Sequence, residues 1–247
     1  MYDNLSGKVI AITGASKGIG AGLAQDFHQR GAKLALCARS DIPLHGSPDV
    51  FTSNFSVTDK NAFSNFCSDA RNNLGEIDLF INNAGVLEPV KPVRELEGDE
   101  LQAHLNINLL GVLYGSQLFA DQVRARESKG TLINISSGAA WSGYAGWAAY
   151  CMGKAAVDRL SETLSLEEKD IGLRVYAVAP GIVDTDMQKT IRASAKEVFP
   201  MVDKFLEYKE KDAFNTVSFV AEHIVRLVFG PQEDDSDVVV RIPSEKS

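Results

Sequence analysis

The stretch "VIAITGASKGIGAGLA", residues 9–24, runs an apolar β-branched segment into a glycine-punctuated turn and then into a helical pattern. Gly14, Gly18 and Gly20 are spaced GxxxGxG. Glycine tolerates backbone angles and close approaches that a Cβ forbids, and a helix amino terminus presents unpaired N–H groups and partial positive charge. Strand, glycine turn and helix start, in that order, make a cradle for a pyrophosphate. Tight strand-to-helix turns also use glycine, so the triplet alone does not separate the two readings.

Working outward, apolar runs of strand length recur at "KLALCA" (33–38), "DLFIN" (78–82), "TLINIS" (131–136) and "RVYAVA" (174–179). Between them lie stretches of helical periodicity, "GAGLAQDFHQRG", "LQAHLNINLLGVLYGSQLFADQVRAR" and "GKAAVDRLSETLSLEEKDIG". Near-continuous Val/Ile/Leu strands alternating with helices predict a doubly wound α/β fold, a parallel sheet of about seven strands with helices on both faces. No repeat or Gly/Ser linker divides the chain, so residues 1–247 read as one Rossmann domain. Pro43 and Pro48 in "RSDIPLHGSPDV" (39–50) make the second crossover a loop, and the tail "GPQEDDSDVVVRIPSEKS" offers one short last strand.

Composition narrows the partners. The formal charge is −8 over 247 residues and no Lys/Arg block occurs, which argues against a nucleic-acid surface and for a small-molecule substrate. No apolar run approaches the roughly 18 residues a bilayer span needs. Cys37, Cys67 and Cys151 lack CxxC spacing, which fits a reducing cytoplasm rather than a disulfide framework. His28, His45, His104 and His223 have no metal-ligand spacing and read as surface or packing residues.

The second strand bears on cofactor choice. A carboxylate near its end would accept hydrogen bonds from a ribose 2'-OH, but "LCARS" ends in Ala38 and Arg39 with no acid before Asp41. Arg39 and Lys17 together favour a 2'-phosphate, hence NADP(H) over NAD(H). Further on, Tyr150 and Lys154 stand four residues apart and share a helix face. An ammonium beside a phenol lowers its pKa from about 10, and a serine of "ISS" at a strand end can hydrogen-bond a substrate carbonyl. Taken alone, Tyr-x-x-x-Lys is common in helices and usually structural.

Several motifs occur in one order: "TGASKGIG" (13–20), "NNAG" (82–85), "NINLLG" (106–111), "ISS" (135–137), "YCMGK" (150–154) and "PGIVDTDM" (180–187). In this the chain resembles the short-chain dehydrogenases/reductases over nearly its whole length, and within them the sepiapterin reductase and benzil reductase branch. The resemblance implies an NADPH-dependent carbonyl reductase acting on a ketone, for that branch a vicinal diketone. Its working set would be Asn108, Ser137, Tyr150 and Lys154, with Tyr150 giving the proton, Ser137 orienting the carbonyl and Lys154 holding the ribose and depressing the tyrosine pKa. Asn108 would fix a water linking Lys154 to solvent. The resemblance favours Ser137, which precedes Tyr150 by thirteen positions as in the family, with Ser136 the fallback.

The same resemblance places the dinucleotide against Gly14, Ser16, Lys17, Gly18, Ile19 and Gly20 of the loop. Arg39, Val57, Asn83, Ala84 and Gly85 follow, then Pro180, Gly181, Val183 and Thr185. Substrate would meet Ser137, Trp141, Tyr144, Trp147 and Tyr150, under a lid at 186–212, with a homodimer or homotetramer expected. Ser56 stands where many members carry an acid, and the tail lacks their glycine-rich ending. Two other functions compete: a dinucleotide-binding regulator without turnover, and an NAD-dependent alcohol dehydrogenase.

Overall fold

Residues 4–231 and 237–246 are described by the computed structural model. The opening apolar run forms β1 (Val9–Thr13), buried at every position because helices cover both of its faces. It leads through the glycine turn into α1 (Gly18–Gln29), then β2 (Lys33–Ala38). No helix lies between β2 and β3 (Val50–Asn54), as Pro43 and Pro48 require. Next come α2 (Lys60–Leu74), β4 (Leu79–Asn82), α3 (Gly98–Leu105), α4 (Gly111–Arg124), β5 (Gly130–Ile135) and α5 (Ala148–Glu168). The chain then makes β6 (Leu173–Ala179), α6 (Asp186–Arg192), α7 (Val202–Glu210), α8 (Val217–Phe229) and β7 (Val239–Arg241).

All seven strands are parallel, in the order β3-β2-β1-β4-β5-β6-β7. Alternation along β1 divides the core. Ile10 and Ile12 face Leu23 and Phe27 of α1 and Val220, Ile224 and Val228 of α8. Val9 and Ala11 face the other layer, where Phe63 and Phe66 of α2 pack with Phe80 of β4 and Phe119 of α4. Each such phenylalanine contributes about 1.5–3 kcal/mol by leaving water. Strand order reverses between β1 and β4, and right-handed crossovers bring every strand's carboxyl end to one edge there, where open α/β sheets bind ligands.

The periodic stretch 101–126 is not one uninterrupted helix. A π-helical turn at Asn106–Leu110 joins α3 to α4. No described helix is long and apolar enough to cross a membrane.

Candidate active site

At the switch point the walls are backbone. Gly14 has φ +69°, and a Cβ there would sit 2.8 Å from the Ala84 Cα; a Cβ on Gly20 would come within 2.5 Å of the Gly14 carbonyl oxygen. Two glycines thus let the β1–α1 turn press against the turn after β4. Thr13 Oγ1 accepts from the N–H groups of Asn83 and Ala84, both at 3.0 Å, and Asn83 Nδ2 donates to the carbonyls of Thr13 (2.9 Å) and Gly14 (3.2 Å). Lys17, the N-cap of α1, supplies no side-chain cap, so the helix's first N–H groups are left for an anion.

A cleft of about 760 Å³ opens above. Gly14, Ser16, Lys17, Gly18 and Ile19 line it, with Gly20 beneath; Arg39 and Ser40 continue the wall from β2, Val57 from the turn after β3, and Asn83, Ala84 and Gly85 from β4. Arg39 is exposed and has no ion pair among the described residues, whereas Lys17 Nζ lies 3.9 Å from Asp186. The Ser56 hydroxyl is paired with Thr58 Oγ1 at 2.8 Å. From β6, Pro180, Gly181, Val183 and Thr185 also line the cleft. Asn215 fixes that turn, donating from Nδ2 to the carbonyls of Pro180 and Pro243 at 3.0 Å each.

Tyr150 and Lys154, both buried, project from the first turns of α5 into the same cleft. Lys154 Nζ donates to the Ile135 carbonyl at 2.6 Å and lies 5.7 Å from the Tyr150 ring centroid. Burial pushes the ammonium down to about 8, with Asp158 opposing. The phenol departs from expectation. Burial raises it above its ordinary value, and the opposing influence is a hydrogen bond with the Ser137 hydroxyl rather than the Lys154 charge. The two serines differ in their partners: the Ser136 hydroxyl donates to Asp158 Oδ1, behind the cleft, whereas Ser137 Oγ accepts from the Ala139 N–H at 3.2 Å. Asn108 is fully buried and does not line the cleft; Nδ2 donates to the Val86 carbonyl (2.7 Å) and Oδ1 accepts from the Val86 N–H (2.8 Å).

The far end is aromatic. Trp147 stacks on Phe199 with centroids 4.5 Å apart and planes 4° from parallel, Phe205 packs at 5.6 Å, and Tyr144 tilts over the indole at 5.1 Å. Phe199 and Phe205 fall within 186–212, and α6 and α7 are seated over the cleft by them and by Ile191. Tyr144 and Trp147 line it. Trp141 does not: it is 42% exposed, outside the lining, with the Arg241 guanidinium 4.2 Å above its ring. It left the wall because the turn Gly138–Ala140 carries it outward.

The family model described as short chain dehydrogenase matches residues 8–196, from the start of β1 to just past α6. The chain belongs to the short-chain dehydrogenase/reductase family. A benzil reductase ((S)-benzoin forming) of Bacillus subtilis (strain 168) is 32% identical over 88% of this chain and 91% of its own. The enzyme of the same description from Bacillus cereus is 33% identical over 95% and 99%. The crystal structure of the KRED1-Pglu enzyme superposes with a TM-score of 0.86 at 28% identity, covering 94% of this chain and 99% of that one. Short-chain dehydrogenases bind a nicotinamide dinucleotide. The uncapped α1 terminus and the glycine turn that lines the cleft fit such a group.

In this short-chain dehydrogenase three residues beside the site carried no sequence signal of their own. His104, read as surface or packing, is 2% exposed and touches both Asn108 and the Tyr150 ring. Its spacing of four to Asn108 on a helix was the available clue. Asp158 lies one turn beyond Lys154 on the same principle. Arg241 reaches the cleft from β7, nearly fifty residues beyond α6, and no local pattern announces it. Among the described residues no His/Cys/Asp/Glu group is arranged to hold a metal.

Proposed function

We propose that the chain is an NADPH-dependent carbonyl reductase that reduces a ketone, in the first instance one carbonyl of a vicinal diketone. The observation that carries this is that Tyr150, Ser137 and Lys154 line one wall of the cleft that begins at the glycine turn, with Lys154 Nζ 5.7 Å from the Tyr150 ring centroid. Gly14, Ser16, Lys17, Gly18, Ile19 and Gly20 would receive the pyrophosphate, Arg39 and Lys17 the 2'-phosphate, and Val57 the adenine. Asn83, Ala84 and Gly85 would line the cofactor, and Pro180, Gly181, Val183 and Thr185 would touch its nicotinamide end. Bound there, the reduced nicotinamide supplies the hydride.

The protein's own part is proton delivery and orientation. Tyr150 donates its proton to the substrate oxygen, a group whose burial keeps it protonated until the oxygen gains charge. Ser137 would hydrogen-bond the same oxygen, Lys154 would hold the nicotinamide ribose, and Asn108 holds the Val86 wall behind them. Tyr144 and Trp147 offer an apolar face suited to a flat ketone, and the similarity to two benzil reductases supports a diketone. The whole of 1–247 works as one unit in this reading, in a reducing cytoplasm consistent with three free thiols. A homo-oligomer formed through α5 would cover Met152 and Leu166, which are 45% and 75% exposed.

The test is NADPH oxidation at 340 nm with vicinal diketones, simple ketones and aldehydes. Consumption with diketones supports the reading. Tight binding without consumption on any substrate would make the chain a dinucleotide-binding regulator, and a preference for NAD+ with alcohols would make it a dehydrogenase in the oxidative sense. Replacing Arg39 with Ala is expected to weaken NADPH about 10- to 100-fold, the worth of a charge-assisted bond, and NADH hardly at all.

A further inference from the structure

His104 lies in the last turn of α3, one helical turn before Asn108, and its ring is enclosed. Its hydrogen-bond partners fix its tautomer. Asn108 Oδ1 faces the Val86 N–H at 2.8 Å, so the amide cannot turn over without opposing that donor. The two Nδ2 hydrogens are then directed at the Val86 carbonyl (2.7 Å) and at His104 Nε2 (2.9 Å), and Nε2 must be an acceptor. Its proton is left on Nδ1, which donates to the Glu88 carbonyl at 2.7 Å. The ring stands edge-on to Tyr150, centroids 6.3 Å apart at 81°. Gly153 makes the room, since a Cβ there would lie 3.3 Å from Nε2.

We propose that His104 is a positioning residue: as the neutral Nδ1–H tautomer it clamps the Asn108 amide and the Val86–Glu88 wall of the cleft against the face of α5 that carries Tyr150. This rests on the reading of Tyr150 as the acid. A proton on Nε2 would convert the acceptor into a donor facing the Asn108 N–H, and the amide has no alternative orientation. The charged and titratable groups around the ring are Lys154 and Tyr150 on α5 and Glu88 on the loop. Burial, aided by Lys154, holds the imidazole below its ordinary 6.5 against the Glu88 contacts. An unfolded chain binds a proton near 6.5 that the folded one refuses, so stability is complete above that pH and declines as pH falls toward the lower folded value.

Two variants test the clamp. His104→Phe keeps a planar ring and loses both hydrogen bonds; His104→Gln keeps an acceptor and a donor and does not titrate. For Phe, kcat is expected to fall at least about tenfold, with NADPH affinity within about threefold of wild type. Gln is expected to recover most of that loss and to lack the acidic limb of the kcat profile. Wild-type kcat in the Phe variant, Gln no better than Phe, or an unchanged acidic limb in Gln would each overturn the proposal. If the wild-type protein turns over no carbonyl, the proposed function fails instead, and the clamp is then judged by Tm against pH. There the wild-type Tm should fall below about pH 6.5 more steeply than that of His104→Gln; identical curves would sink it.

Discussion

At the β1–β4 end of the cleft the walls are backbone, whereas at the β5–β7 end they are side chains from distant segments. Gly14 and Gly20 close the first end by having no Cβ, and Asn83 sews it to the β1 turn with hydrogen bonds to main-chain carbonyls. The second end depends on Trp147 meeting Phe199 across some fifty residues and on Arg241 crossing from the last strand. A backbone wall suits a ligand of fixed shape, because peptide geometry does not vary with side-chain identity. An aromatic wall can be resized by substitution, which suits selection among ketones. Tyr150 stands where the two meet.

Breaking the junction is expected to have the largest effect. Tyr150→Phe keeps the ring and deletes the proton, so kcat should fall about 10²- to 10⁴-fold with NADPH affinity near wild type. Retained turnover would remove Tyr150 from the chemistry. Next in size is the backbone wall. In Gly20→Ala the new Cβ meets the Gly14 carbonyl at 2.5 Å and Asn83 Nδ2 at 2.4 Å, so the loop must shift. NADPH affinity, read by fluorescence titration, should fall at least about tenfold, each decade being about 1.4 kcal/mol. Unchanged affinity would mean that the tight turn is not what holds the cofactor.

A smaller effect concerns Lys154, whose ammonium burial holds at about 8. If its charge supports the phenol, kcat/KM should decline as pH rises through about 8. Stability runs the other way: an unfolded lysine keeps its proton up to 10.5, so between about 8 and 10.5 the unfolded state binds more protons and stability rises with pH. The opposite slopes distinguish catalysis from unfolding. The smallest effect belongs to Trp141→Leu, because the indole lies outside the cleft; kcat/KM for a diketone should change less than about threefold. A large loss would return Trp141 to the substrate wall.

The asymmetry between the two ends also decided what the sequence could reveal. The sheet and glycine turn were legible because periodicity and glycine spacing are local, and Tyr150 with Lys154 because four residues make one helical turn. The π turn at Asn106–Leu110 was not legible, since nothing in "NINLL" differs from helix; it accompanies the Asn108–Val86 pairing made across space. Trp141 was misplaced because aromatic identity near the chemistry says nothing of direction. The phenol was expected to be lowered by its lysine, yet burial raises it, an outcome set by packing density rather than by spacing.

The most direct measurement follows the hydride. NADPH carrying deuterium on the transferable position of its nicotinamide is incubated with the protein and a vicinal diketone, and the product is read by mass and NMR. The expected product is a hydroxyketone with one deuterium on the carbinol carbon, formed by the wild-type protein and not by Tyr150→Phe. A hydroxyketone without the label, or the same labelled yield from both proteins, would contradict the assignment.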